Sequence, residues 1–254
     1  MTTSERILET LKYVLITVLT FAALQTVLVV MHEFTHSTVA WALGHMQSPL
    51  EIVWGNPLTL KGWDEGVDYS QIYASGQFHA AAIIGFCPMI LHAVIVTLGL
   101  VLLQREWMKG KKWLFHFLFW FVIANFMEII SYITMGSFCT GGDVYHFNHG
   151  LGLSPWILFI VGSLAIAVGL YFLFRDVLPR MYAIFAQGNH MNQWAILLMT
   201  VIILFLWGSG LRVAISVYPN PQWMFGFLDF AALVVVLITC NPTRAWIVSR
   251  IKME

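Results

Sequence analysis

The chain has 254 residues, of which 59% are apolar and 10% charged, against ~45–50% and ~25% in an ordinary soluble domain, so a water-soluble globule is excluded as the expected fold. Thirteen basic and thirteen acidic residues cancel to zero net charge, which points neither to a basic nucleic-acid surface nor to an acidic disordered tail. Cys87, Cys139 and Cys240 form no Cys-x-x-Cys, so no disulfide framework or thiolate zinc site is indicated, and any metal would be held by His and carboxylate.

Crossing a hydrocarbon layer takes ~20 predominantly apolar residues, and six stretches qualify: 13–43, 77–103, 113–136, 155–174, 194–217 and 223–240. The expected fold is all-α, a polytopic transmembrane bundle of about six spans, because backbone polar groups in lipid must be satisfied inside helices or closed barrels. It reads as one integral-membrane domain over 1–254, with a three-span core at 13–150 and three further spans at 151–254. The first stretch is too long for a signal-peptide apolar region and lacks a clear small-residue cleavage site, so it is expected to be a retained helix.

Loop charges set the expected orientation. Arg6, Lys12, Arg105, Lys109, Lys111, Lys112, Arg175, Arg180, Arg244, Arg250 and Lys252 put 11 of the 13 basic residues on one side. The opposite loops carry Glu51, Asp64, Glu65, Asp68 and Asp143 against Lys61 alone. The positive-inside rule then places both termini in the cytoplasm of a bacterial-type cytoplasmic membrane. Trp54, Trp113, Trp156, Trp194 and Trp223 near the span ends fit an interfacial aromatic belt.

The connection over residues 45–75 is long and holds Gly55-Asn56-Pro57 and Lys61-Gly62 turn signals. The β-compatible runs Ile52-Val53-Trp54 and Leu58-Thr59-Leu60 predict a hairpin or membrane-dipping loop there.

Within the first span stands His32-Glu33-Phe34-Thr35-His36, an H-E-x-x-H pattern. Positions i and i+4 share a helix face, so both imidazoles can meet one zinc ion at ~2.0–2.1 Å. Glu33 then sits beside the metal without binding it, placed to take a proton from a water. On the chain's composition about 0.01 such patterns are expected by chance. Ionisable groups in a membrane helix are costly and functional by default; the competing reading is a polar cluster that ties helices together.

Hydrolytic zinc needs a third protein ligand and an open position. Asp143, in Gly141-Gly142-Asp143-Val144, is the best donor, because the first and third spans both run outward and end at similar depth. His146 and Glu128 are the alternatives, and Asp143 could equally be an ordinary N-cap. His79, heading the second span, could assist as a neighbour of the ligands or position substrate, as could His146. Arg212 and Asp229 are expected to pair between the last two spans and neutralise each other.

These residues resemble the site-2 intramembrane metalloproteases. Val29 to His36 followed by Ala40 and Gly44 is similar to that family's metal-binding helix, and Ser75 to Ala82 through Gly85 and Pro88 is loosely similar to its Gly/Pro-containing second core helix. Gly142-Asp143 stands where the family has its Leu-Asp-Gly ligand, without the upstream Asn-x-x-Pro-x-x-Pro. The similarity covers about residues 27–150. It implies a divergent zinc-dependent intramembrane endopeptidase holding Zn2+ on His32, His36 and Asp143, with Glu33 as acid/base. Its substrate would be a transmembrane or membrane-adjacent segment of another protein. Family members carry their metal towards the cytoplasmic side, whereas the charges here put it towards the outer side.

The lipid bilayer and a membrane-protein substrate are the expected partners, with no nucleic acid. Two rival classes remain at this stage. His32-x-x-x-His36 with His146-x-x-His149 is also similar to the histidine boxes of membrane di-iron hydroxylases and desaturases, though no adjacent His-His pair occurs. A non-catalytic metal-binding or transport protein would use the same polar cluster as an ion path.

Overall fold

The first apolar stretch belongs to a longer helix. In the computed structural model, which describes residues 2–56, 62–186, 188–210 and 227–251, α1 runs Thr3–Ala42. It begins at a reciprocal capping box in which Glu5 N–H donates to Thr2 Oγ1 and Thr2 N–H donates to Glu5 Oε2, satisfying two orphan donors. The apolar run marks what lipid can hold; this cap lets the helix start ten residues earlier than the expected 13.

After the connecting loop come α2 (Tyr69–Ala74), α3 (Phe78–Leu103), the short α4 (Glu106–Lys109) and α5 (Lys112–Thr134). A 3-10 turn at Gly136–Phe138 leads to α6 (Asp143–Leu151), then α7 (Pro155–Phe172). The fourth span does not end near 174 as expected. A π-helical turn at Leu173–Val177 carries it into α8 (Leu178–Phe185), with Arg175 and Asp176 paired at 3.4 Å on that turn. Next come α9 (His190–Val201), a π-helical continuation through Ile202–Gly210, α10 (Phe227–Ile238) and α11 (Cys240–Ile251).

Among the described residues, five helices are long and apolar enough to cross a membrane. The sixth expected span is a pair, α10 and α11, bent by 74°, so its status rests on counting the two as one. Arg212, Trp223, Lys61, Lys252 and the Leu58-Thr59-Leu60 run lie outside the described residues.

The α5 helix is central, burying Phe115, Phe119, Trp120, Ile123 and Phe126 completely or nearly so. The α7 helix is peripheral, and Leu164 and Val168 on it, like Leu15, Leu19, Val94 and Leu98 elsewhere, point their apolar side chains outward. An outward apolar surface of this extent is compatible with a multi-pass membrane protein.

Where a hairpin or membrane-dipping loop is expected over 45–75, the described residues carry one antiparallel bridge, Val53 to Asp64, and no named strand. Trp54 and Trp63 pack edge to face beside that bridge, and Trp54 also meets Phe34 of α1. Ser37 Oγ donates to the Pro49 carbonyl at 2.8 Å. The loop is thereby folded back onto the H-E-x-x-H turn.

Candidate metal centre

The i, i+4 spacing brings the two imidazoles together as expected. His32 Nε2 and His36 Nε2 lie 3.2 Å apart, and Asp143 Oδ2 lies 2.9 Å from the first and 3.4 Å from the second. Four ligands arranged tetrahedrally around zinc at 2.0–2.1 Å stand about 3.3 Å from one another. The three atoms thus describe one face of such a tetrahedron, and two nitrogens with a carboxylate oxygen are a common donor set for catalytic zinc. Among the described residues these three form the group of His, Cys, Asp and Glu able to hold an ion.

Two of the three candidate ligands, His36 and Asp143, are oriented by a specific backbone feature. Pro88 stands inside α3 and has no N–H, so the carbonyl one turn earlier, that of Ile84, loses its helical donor. His36 Nδ1 takes that place, donating to Ile84 O at 2.7 Å. A carbonyl can only accept, so His36 carries a proton on Nδ1, and in its neutral form the ring leaves the Nε2 lone pair for the centre.

Asp143 is delivered by the turn that opens α6. Gly142 has φ +85°, a left-handed conformation that favours glycine, and Asp143 follows in the helix's first turn, where unpaired N–H groups favour a carboxylate. Burial works to raise the Asp143 carboxyl, but the positive charge that His36 and His32 carry when protonated outweighs it and holds the group well below the usual carboxylate range.

The depth of α6 is set by contact with α3 through glycine. A Cβ on Gly85 would fall 2.7 Å from His146 Cβ and 2.9 Å from the Asp143 carbonyl oxygen. One on Gly150 would strike the Phe78 carbonyl and come 2.9 Å from Ala82 Cβ. Small residues let backbones approach this closely where lipid supplies no hydrophobic drive between helices.

Glu33 lies within electrostatic reach of His32, His36, Asp143 and Glu65. Its carboxylate makes no hydrogen bond among the described residues. The Tyr132 hydroxyl is 3.5 Å from His32 Nε2. A cavity of about 430 Å³ opens beside Asp143, walled by Tyr132, Gly136, Cys139, Gly141 and Gly142. Nothing stands within 4 Å of the Cβ positions of Gly141 and Gly142, so the wall there is bare backbone.

The other candidates are placed differently. His146 packs flat against Tyr69, ring centroids 3.6 Å apart, and its Nδ1 lies 3.0 Å from the Tyr73 hydroxyl. Burial pushes its imidazole down to about 4, so it is neutral near pH 7. Its place is on the flank of the centre, bracing α6 against α2. His79 is exposed at the head of α3, with no hydrogen bond or ring contact to the three ligand residues among the described residues. Glu128 is buried away from the centre and accepts from Gln25 Nε2 at 3.1 Å. Asp229 accepts from Thr134 Oγ1 at 3.0 Å, while its expected partner Arg212 is outside the described residues.

Sequence reasoning missed His92, Asn125 and Tyr132. His92 Nε2 lies 3.1 Å from His32 Nδ1. None belongs to a motif; their signal is that they are polar residues inside apolar spans, where each polar group needs a partner.

No family model matches the chain, and comparison with curated proteins and with solved structures returns no match either.

Proposed function

We propose that this chain is a zinc-dependent endopeptidase embedded in the membrane, cleaving a transmembrane or membrane-adjacent segment of a protein substrate. The observation that carries the reading is the convergence of His32 Nε2, His36 Nε2 and Asp143 Oδ2 at 2.9–3.4 Å spacing with Glu33 next to His32 in the chain and free of hydrogen bonds to the described residues.

Zinc held there would supply Lewis acidity to a water molecule and to the scissile carbonyl. Glu33 takes the proton that water gives up on attack and returns it to the leaving amine nitrogen, a shuttle open to a carboxylate not tied up by other donors. The Tyr132 hydroxyl stands where it can donate to the carbonyl oxygen as charge builds on it. The cavity beside Asp143 takes the substrate in extended form, its Gly141-Gly142 wall admitting a peptide backbone without side-chain obstruction. A helical substrate must unwind locally first, because its carbonyls are otherwise occupied.

By the positive-inside rule we take both termini to be cytoplasmic and the centre to lie towards the outer face of a six-span protein, the α10 and α11 pair counting as the sixth span. Zinc stoichiometry in the purified protein tests the enzyme reading. One zinc per chain is expected, lost in His32→Ala and Asp143→Ala and kept in an inactive Glu33→Gln. Two irons per chain, or no metal, would sink it. Topology reporters fused at residues 60 and 108 should report opposite sides; the same side would refute the orientation.

A further inference from the structure

We infer that His92 and Asn125 are positioning residues that fix the tautomer of His32, so that its Nε2 lone pair is presented to the metal. This rests on the zinc reading above and deepens it, because it names the groups that decide whether one ligand can bind at all.

The chain of hydrogen bonds is ordered from its far end. Asn125 lies 2.7 Å through its amide from the Phe121 carbonyl, one turn back in α5. A carbonyl oxygen accepts only, so the atom facing it must be the NH2 group, whatever the electron count of the amide's two ends. The other end, Oδ1, therefore faces His92 Nδ1 at 2.8 Å. That oxygen also only accepts, so His92 donates from Nδ1. A neutral imidazole has a single N–H, and with it committed to Asn125 the Nε2 atom of His92 is left as an acceptor. This atom is 3.1 Å from His32 Nδ1. His32 must then carry a proton on Nδ1, and in its neutral, metal-binding form it leaves Nε2 bare.

The opposite assignment fails at a definite point. A proton on His92 Nε2 would set the unprotonated Nδ1 lone pair against Asn125 Oδ1 at 2.8 Å, two acceptors in a buried place with no donor between them. His92 and Asn125 are each 1% exposed, and an unmet pair of acceptors at such depth is costly.

His36 reaches the same state by another route, through the Ile84 carbonyl that Pro88 leaves free. Two imidazole lone pairs and a carboxylate oxygen then converge with only acceptors facing inward. A metal cation satisfies that arrangement; without one, a proton on an imidazole Nε2 has to bridge to Asp143 Oδ2, which lies 2.9 Å from His32 and 3.4 Å from His36. Partners of this kind commonly change metal affinity by about 10- to 100-fold when removed.

The test compares zinc affinity, by chelator competition, with the protonation of His92 read by nitrogen-15 NMR of histidine-labelled full-length protein in detergent. His92→Leu and Asn125→Leu should weaken zinc binding about 10- to 100-fold. His92→Gln, whose amide oxygen can accept from His32 Nδ1, should recover most of it, a rescue that a space-filling role would not produce. In the unsubstituted protein His92 should carry its proton on Nδ1. A His92 protonated on Nε2, or a folded His92→Leu that binds zinc as tightly as the unsubstituted protein, would overturn the inference. If the unsubstituted protein takes up no zinc, the peptidase reading falls, and the NMR signal still decides the tautomer. Should His92→Leu fail to fold, the NMR measurement and Asn125→Leu carry the decision.

Discussion

The two ends of the bundle are held together by different forces. Around the candidate metal centre, α1, α3 and α6 meet through imidazoles, a carboxylate, the Ile84 carbonyl and bare glycine contacts at Gly85 and Gly150. At the other end, α5, α8 and α9 meet through large apolar side chains, with Phe115, Phe119, Trp120, Tyr182 and Leu197 buried to 1% exposure or less. Lipid tails are as apolar as these side chains, so the second kind of contact gains chiefly from dense packing, whereas the first gains from satisfying groups that lipid cannot. Function should therefore be fragile at one end and stability at the other.

Four substitutions would break or sharpen that contrast. The largest effect is expected of His36→Ala, which should take bound zinc from one per chain to none while leaving most of the helical circular dichroism intact; retained stoichiometric zinc would contradict the ligand set. Trp120→Ala, at the packed end, should leave zinc binding unchanged and cost about 3 kcal/mol of unfolding free energy, at about 24 cal/mol per Å³ of void. A parallel loss of zinc there would mean that the two ends are not separable.

Gly150→Ala forces a methyl group against Phe78 and Ala82, and overpacking of this kind costs about 1–3 kcal/mol. Because α6 carries Asp143, this substitution should reduce stability and zinc affinity together, measured by thermal melts with and without zinc. The smallest effect, and the sharpest in sign, is that of Pro88→Ala. It restores an N–H that reclaims the Ile84 carbonyl, so the helix should become no less stable while zinc binding weakens several-fold. A simultaneous fall in both would show that Pro88 acts through packing instead.

The parts of this molecule legible in its sequence were those governed by local spacing or by apolar length. His32 and His36 are one helical turn apart whatever the rest of the chain does, and the depth of Asp143 followed from the direction of two spans. Helix ends were less legible, because apolar length reports the reach of the lipid and not of the helix. The first turns of α1, with Glu5, Arg6 and Glu9, are as helical as the rest, and Arg175 and Asp176 sit within a continuing helix. The short α2 offers too few residues for periodicity, though Asp68 caps it through the Gln71 N–H. His92 and Asn125 were invisible as a pair, since residues 33 apart meet only once α3 and α5 pack. The same holds for the link between Pro88 and His36, which lies in a missing N–H and not in any motif.

The length of α1 bears on where, under the proposed function, a substrate would be cut. From Lys12, the last charged residue before the apolar run, to His32 is 20 residues, or about 30 Å of helix, which is the thickness of a hydrocarbon layer. On the proposed function the helix would act as a ruler, with its zero at one water boundary and its mark, the His32–His36 turn, at the other. On the same reading, water for hydrolysis would be at hand without a conduit through the bundle, and a substrate helix would be met at the rim of the bilayer, near its own end. One residue inserted between Lys12 and His32 would shift that mark by about 1.5 Å and swing it about 100° around the axis, turning the histidines away from Asp143.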